Sequence, residues 1–214
     1  MLKVIISPAK RMRVDADAFA PRGIPPFPGR TARLVEALRR IGREQGPAGH
    51  KALRRVSDAL LADSLAQLDA FRPVPDATAL DDDPSLTRLA GPAVFSYVGI
   101  QYRSMAPDVL DLDALDWLQR HLWIVSGLYG CVRPFDAVEP YRLEMGAKLA
   151  LDGARDLYGF WGPDIAHAVT GGSGQTGAVT VVNLASVEYA RAVLPRLPPD
   201  PRAASLATAK SWRM

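Results

Sequence analysis

The chain has 214 residues, of which 48% are hydrophobic and 23% charged, so it has the length of one large domain or two small ones. No apolar run approaches the ~20 residues that a membrane-spanning helix needs, and the single cysteine, Cys131, excludes an internal disulfide and fits a reducing cytoplasm. Residues 1–55 carry 13 Lys and Arg against 4 Asp and Glu, whereas residues 56–118 carry 3 against 11. This basic N-terminal block indicates either a solvated face or a surface that attracts a polyanion.

The first predicted element is a buried strand over residues 2–7, which are apolar and rich in β-branched side chains. Pro8 ends the strand, because proline fixes φ and removes a backbone donor. Ser7 and Lys10 therefore follow the carboxyl end of a strand, where open α/β folds place ligand sites. A plain surface turn is the alternative, and the Pro-rich residues 14–29 that follow predict a loop.

Two helical stretches come next. Residues 31–45 repeat apolar side chains at a helical period, and Gly46 is predicted to end this helix. The second stretch covers about residues 50–71, and Ser57 and Asp58, which favour N-caps, mark a point of division. Residues 72–91, rich in Pro and Asp, predict a mobile loop with one short turn of helix. The polar arc of the first helix is dominated by arginine: Arg30, Arg33, Arg39, Arg40 and Arg43.

The second half of the chain alternates short apolar runs with helical stretches. A strand is predicted over residues 93–97 and a helix over residues 108–121, with residues 122–125 forming either a strand or the end of that helix. A further helix is predicted over residues 155–169, with a division at Gly162-Pro163. The remaining predictions are a Gly-rich loop (171–177), a buried strand (179–184) and a short helix capped by Ser186.

Four segments, in order along the chain, resemble the peroxide-stress protein family named after YaaA. They are residues 6–10 (ISPAK), 126–134 (SGLYGCVRP), 140–146 (PYRLEMG) with 156–162 (DLYGFWG), and 182–189 (VNLASVEY). The resemblance implies one cytoplasmic α/β domain over residues 1–214, with a central, mostly buried sheet surrounded by helices, a basic cleft and a helix-hairpin-helix element. It also implies binding of double-stranded or distorted DNA and protection against hydrogen peroxide. No firmly assigned catalytic reaction comes with the resemblance, and no cofactor is predicted.

The resemblance ends near residue 195. Members of that family usually continue with another strand and a segment rich in Ala, Lys, Arg and Gly, whereas this chain continues as PDPRAASLATAKSWRM. A lost strand would leave a sheet edge unpaired, and lost cations would weaken a basic cleft. The expectation is therefore a truncated or divergent C-terminal part.

The helix-hairpin-helix candidate is the Gly-bracketed turn 126–130 between two helix-like flanks. Glycines there would let backbone N–H groups approach a phosphate without obstruction by a Cβ atom. The predicted DNA or phosphate contacts are Lys10, Arg39, Arg40, Arg43, Ser126, Gly127, Tyr129, Gly130, Arg133 and Arg142. The predicted cleft-lining residues are Ser7, Tyr141, Asn183 and Ser186.

An enzyme acting on a small anionic or nucleotide-like substrate is the alternative function. Lys10 and Arg142 suit a phosphate or carboxylate, and Glu144 and Glu188 suit counter-charges or general bases, so these four residues are the catalytic candidates. A strand period places Arg142 and Glu144 on one face of residues 139–146. A buried Arg–Glu network that pins this segment to the core is the structural alternative. The three histidines lack metal-ligand spacing, so no metal site is predicted.

Overall fold

The computed structural model describes residues 1–14, 19–54, 57–171 and 178–197, and the structural statements below concern these ranges. The strands are β1 (Leu2–Ile6), β2 (Arg11–Met12), β3 (Gly91–Pro92), β4 (Tyr97–Val98), β5 (Leu122–Ser126), β6 (Gly130–Val132), β7 (Ala137–Val138) and β8 (Thr180–Asn183). The helices are α1 (Pro28–Arg54), α2 (Asp58–Ala70), α3 (Thr78–Asp82), α4 (Pro84–Leu89), α5 (Ala93–Ser96), α6 (Ile100–Met105), α7 (Leu112–His121), α8 (Leu157–Trp161), α9 (Asp164–Thr170) and α10 (Val187–Ala190). None of these helices is long and apolar enough to cross a membrane.

A four-stranded mixed sheet lies at the centre, in the order β6-β5-β1-β8. β1 runs parallel to both β5 and β8, with Ile5 opposite Trp123 on one side and Asn183 on the other. The two predicted strands are therefore confirmed, and the structure shows that they are neighbours in the sheet. Ile5 and Ile124 are fully buried, as expected for parallel strands covered on both faces.

The predicted helix-like flanks of the turn 126–130 are wrong, because both flanks are strands. β5 and β6 pair antiparallel, with Ser126 opposite Gly130, so this turn closes a β-hairpin and no helix-hairpin-helix forms here. Residues 122–132 are buried throughout and rich in β-branched side chains, which favour a pleated, packed strand. The open choice for residues 122–125 is thereby resolved as a strand.

The predicted break of the first helix at Gly46 is confirmed, although a second helical segment follows it directly. α1 continues through Gly46, whose φ of 61° and ψ of −159° are not helical, so two helical segments meet at a kink where the sequence predicts an end. α2 begins at Asp58 with Ser57 at its N-cap position, which confirms the predicted division. Leu34 and Leu38 face the core at 2% exposure or less, as their spacing predicts.

The strand predicted over residues 93–97 is wrong for residues 93–96, which form the one-turn helix α5. The Ser96 hydroxyl donates to the Pro92 carbonyl four residues earlier (2.9 Å), which closes the turn. All four residues are buried, and a short buried run has no polar face from which a period can be inferred. Residues 72–91 contain two short helices, α3 and α4, rather than one turn.

The C-terminal elements largely follow the prediction. α8 and α9 divide at Gly162-Pro163, and the Asp156 carboxylate caps α8 by accepting from the Gly159 N–H at 2.8 Å. β8 confirms the strand predicted over residues 179–184. Ser186 stands at the N-cap position of α10 but makes no side-chain capping bond there. The predicted loop beyond Gly171 and the divergent tail beyond Leu197 lie outside the described residues.

Candidate functional site

The carboxyl ends of the three parallel strands β1, β5 and β8 meet at one edge of the sheet. Ser7 and Ser186, both predicted to line a cleft, lie together there: the Ser7 hydroxyl accepts from the Ser186 N–H (2.8 Å) and donates to the Ser186 hydroxyl (3.2 Å). Asn183 is 4% exposed and its side-chain oxygen accepts from the Ala185 N–H. The two Ser7–Ser186 bonds fasten the loops after β1 and β8 to each other.

A chain of hydroxyl groups continues behind this edge. The Tyr141 hydroxyl lies 2.7 Å from the Ser126 hydroxyl and 3.0 Å from the Tyr97 hydroxyl, and Tyr102 donates to the Ser7 carbonyl (2.9 Å). Burial raises the pKa of the Tyr141 phenol, so it remains a neutral donor at physiological pH. Sequence reasoning selected Tyr141 and Ser126 but missed Tyr97 and Tyr102, whose roles arise from contacts distant in sequence.

One carboxylate oxygen of Glu144 lies close to both Lys10 and Arg142. Glu144 Oε1 lies 3.1 Å from Lys10 Nζ and 3.7 Å from Arg142 Nη2. Arg142 Nη1 also donates to the Lys10 carbonyl oxygen at 3.4 Å. The side chains are 70%, 14% and 31% exposed for Lys10, Arg142 and Glu144. The predicted placement of Arg142 and Glu144 beside Lys10 is therefore observed, although residues 139–144 lie outside any strand.

Glu188 does not touch this cluster. Its Oε1 accepts from the Gly146 N–H at 2.8 Å, on the far side of the turn that follows Glu144. Glu144 and Glu188 both line an open cleft of about 590 Å³ between α1 and residues 144–150, whereas Lys10 and Arg142 do not. The four catalytic candidates therefore do not share one pocket. Of these four, Glu144 alone belongs both to the cluster with Lys10 and Arg142 and to the cleft beside α1. The charged residues that line the cleft are Arg40, Glu44, Glu144, Lys148 and Glu188.

The arginines predicted to contact DNA differ in how exposed their side chains are and in the partners they bind. Arg39 is half-buried and donates to the Leu68 and Phe71 carbonyls (3.2 and 2.6 Å), which ties α1 to the end of α2. Arg43 is exposed and paired with Glu36 at 2.6 Å. Arg133 is exposed, and its guanidinium lies 5.1 Å from the Trp123 ring centroid. Arg40 is exposed at the cleft, so Arg39 has a structural role while the others remain at the surface.

The turn 126–130 is buried, and this corrects its predicted contact with phosphate. Ser126, Gly127, Tyr129 and Gly130 are all covered, so a phosphate backbone does not reach their N–H groups in this conformation. A Cβ atom on Gly127 would lie 2.4 Å from the Leu143 carbonyl oxygen. The glycine is required because segment 139–144 packs directly against the hairpin.

Residues 2–208 match the sequence profile of a protein family described as peroxide stress protein YaaA. The chain is 40% identical over 198 residues to a UPF0246 protein of Lactiplantibacillus plantarum, a match covering 92% of this chain and 71% of that protein. The chain belongs to the YaaA family. Similar relatives are UPF0246 proteins of Desulfitobacterium hafniense (38% over 192 residues; 90% and 68% coverage) and Lacticaseibacillus casei (40% over 196 residues; 92% and 70%). The YaaA description associates the family with peroxide stress, and the relatives' names state no ligand.

Proposed function

We propose that this YaaA-family chain acts in the peroxide stress response as a single-domain, cytoplasmic DNA-binding protein that protects DNA from oxidative damage. The observation that carries the proposal is the basic surface of α1, on which Arg33, Arg40 and Arg43 are exposed at helical spacing. Arginines spaced along one helix suit phosphates spaced along a nucleic acid backbone. Protection would follow from covering the duplex rather than from a peroxide-consuming thiol.

The ion pairs on this surface do not prevent such binding. Arg33 pairs with Asp152 and Arg43 with Glu36, each at 2.6 Å, and the side chains of both arginines are more than half exposed. Exposed pairs contribute only about 0–1 kcal/mol each, so phosphate oxygens compete with these carboxylates at little cost. Lys10 and Arg142 form a second cationic position at the carboxyl edge of the sheet.

The test is binding of a fluorescently labelled bubbled duplex, measured by anisotropy at two salt concentrations. We expect wild-type affinity to fall steeply with salt, because neutralised phosphates release counterions. The double variant Arg40→Gln/Arg43→Gln should bind more weakly, and the slope of log affinity against log salt should shrink by about 2.

Arg88→Gln/Arg103→Gln is the matched control, because it removes the same charge from exposed residues of α4 and α6. This control should keep nearly the wild-type affinity and slope. Absence of duplex binding at low salt, or equal losses in both double variants, would refute DNA binding at α1.

The cleft beside α1 favours a second candidate function, an enzyme acting on a small anionic or nucleotide-like molecule. Its volume of about 590 Å³ suits a small ligand, and it combines the cations Arg40 and Lys148 with the carboxylates Glu44, Glu144 and Glu188. A thermal-shift titration with nucleoside mono-, di- and triphosphates tests this candidate. Stabilisation of wild type that is lost in Lys148→Gln supports it, and no stabilisation by any nucleotide contradicts it.

A further inference from the structure

Glu144 occupies the position that an anionic ligand of Lys10 and Arg142 would take. One oxygen, Oε1, lies 3.1 Å from Lys10 Nζ and 3.7 Å from Arg142 Nη2. An oxyanion bound between an ammonium and a guanidinium group makes the same kind of contacts, because both cations are donors without acceptor atoms. The Glu144 oxygen therefore makes contacts of the kind that a phosphate oxygen makes with these two cations.

The Arg142 guanidinium and the Lys10 backbone are held in place, whereas the Lys10 ammonium group is on a side chain that is 70% exposed. Lys10 lies between Pro8 and β2, whose Arg11 pairs with Val98 in β4. Arg142 is 14% exposed, and its guanidinium donates to the Lys10 carbonyl oxygen. The Glu144 side chain is 31% exposed and also lines the open cleft beside α1. Glu144 therefore has open space to rotate into, while the bond to the Lys10 carbonyl oxygen holds the Arg142 guanidinium.

The guanidinium of Arg142 also retains unused donor capacity. Its Nε is buried and has no hydrogen-bond partner within the described ranges. A single oxygen of Glu144 lies 3.7 Å from Nη2, which makes an ion pair but is too long for a hydrogen bond. A tetrahedral phosphate has more acceptor oxygens than this one carboxylate oxygen and can contact Lys10 and Arg142 at the same time.

We propose that Lys10 and Arg142 form a phosphate-binding site that is closed by Glu144 in the free protein, and that phosphate opens the site by displacing Glu144 toward the cleft. The inference rests on the proposed function in so far as the phosphate is a backbone phosphodiester of DNA. The chemistry is the same for a free or terminal phosphate, so the experiment separates these sources.

The deciding variant is Glu144→Gln, which keeps the shape of the side chain and removes the competing charge. Binding is measured by isothermal titration with inorganic phosphate and pyrophosphate, and by anisotropy with a bubbled duplex lacking a 5′-phosphate. Glu144→Gln should bind its preferred probe about fivefold more tightly than wild type, the gain expected from removing one partly exposed ion-pair competitor. Lys10→Gln, at a side chain that is 70% exposed and so safe for folding, should weaken the same binding.

Asp116→Asn is the matched control, because Asp116 is an exposed carboxylate paired with Arg22 at 2.6 Å, outside the cluster. It changes the net charge equally and should leave every affinity unchanged. If Glu144→Gln binds only the duplex more tightly than wild type does, the ligand is a backbone phosphodiester. If it binds only inorganic phosphate or pyrophosphate more tightly, the ligand is a free phosphate.

The closed-site proposal would be overturned if Glu144→Gln bound inorganic phosphate, pyrophosphate and the duplex no more tightly than wild type does. It would also be overturned if none of these three probes bound to wild type or to Glu144→Gln. Failure of the proposed function gives a different pattern. In that case no variant binds the duplex, yet Glu144→Gln still tightens inorganic phosphate. If instead Arg40→Gln/Arg43→Gln weakens duplex binding while Glu144→Gln changes nothing, DNA binding stands and the inference fails.

Discussion

Cys131 lies in β6 and is fully buried, opposite Val125 of β5. Burial raises the pKa of its thiol well above the usual value, so the reactive thiolate is scarce at neutral pH. Cys131 therefore packs as a small apolar core residue. A role as the peroxide-sensing group is disfavoured by both accessibility and ionisation.

We therefore expect native Cys131 to be unreactive toward a thiol reagent such as DTNB and toward hydrogen peroxide. The measurement is the rate of thiol loss in native buffer, compared with the rate in a chemical denaturant, where the cysteine becomes exposed. Rapid native reaction, at a rate similar to that of the unfolded chain, would contradict the buried position.

Two buried carboxylates predict an unusual pH dependence of stability. Burial raises the pKa of Glu139 and of Asp136 to about 7 each, although the Arg72 N–H donates to both oxygens of Glu139 and the Arg133 N–H donates to Asp136. The folded state then binds more protons than the unfolded state between about pH 4 and pH 7. The contribution of these two carboxyl groups to the free energy of unfolding is fully present below about pH 4 and is lost as the pH rises through about 7.

The variant Glu139→Gln isolates one of these groups. We expect the free energy of unfolding of wild type to fall between pH 5 and pH 8, and to fall less in Glu139→Gln, by on the order of 1 kcal/mol. Denaturant titrations at several pH values measure this difference. Asp116→Asn, at an exposed carboxylate, should keep the wild-type slope. An equal slope in Glu139→Gln and wild type would show that Glu139 ionises normally.

At the scale of elements, the kink in α1 depends on one residue. Gly46 has a φ of 61° and a ψ of −159°, a combination that residues with a Cβ atom rarely adopt, and Pro47 follows it. The kink lets two helical segments meet without an intervening loop. The basic surface of α1 that we propose for DNA lies before this point.

Gly46→Ala should lower the free energy of unfolding by about 1–3 kcal/mol, because alanine is strained at this φ and ψ. Gly29→Ala is the matched control: an added Cβ atom meets nothing within 4 Å at either glycine, but Gly29 has no positive φ. The control should be neutral or slightly stabilising, since alanine favours helix. Equal stabilities of the two variants in denaturant would refute backbone strain at Gly46.

At the scale of the whole molecule, the hairpin β5–β6 is the surface on which the candidate site is assembled. Segment 139–144 crosses it so closely that a Cβ atom on Gly127 would meet the Leu143 carbonyl at 2.4 Å. Arg142 and Glu144 flank Leu143, so this contact positions both relative to Lys10. The glycine-bracketed turn thus acts on the site through packing.

Gly127→Ala should therefore destabilise the protein by about 1–3 kcal/mol, the usual cost of overpacking, and weaken phosphate binding at the same time. Denaturant unfolding and phosphate titration of the same sample measure both effects, with Gly29→Ala as the control. A variant as stable as wild type, with unchanged phosphate binding, would show that segment 139–144 does not rest on Gly127.

Local sequence features determined much of the fold by themselves. The first strand, the break at Gly46, the start of α2 at Asp58 and the division at Gly162-Pro163 were predicted because proline, glycine and capping residues act on the backbone nearest to them. The side-chain alternation of Arg142 and Glu144 against Leu143 was predicted from the extended period alone. Family membership was likewise present in the ordered motifs.

Tertiary structure decided the rest. Residues 93–96 and the flanks of turn 126–130 are short apolar runs, and such runs carry no period that separates helix from strand until their neighbours are known. The burial of turn 126–130 depends on the contact of Gly127 with Leu143, which is 16 positions away in the sequence. Lys10 and Glu144 are 134 positions apart, and Glu188 is 42 positions from its partner Gly146. Residue type indicated which side chains can hold an anion, and only the packing of segment 139–144 on the hairpin determined which of them meet.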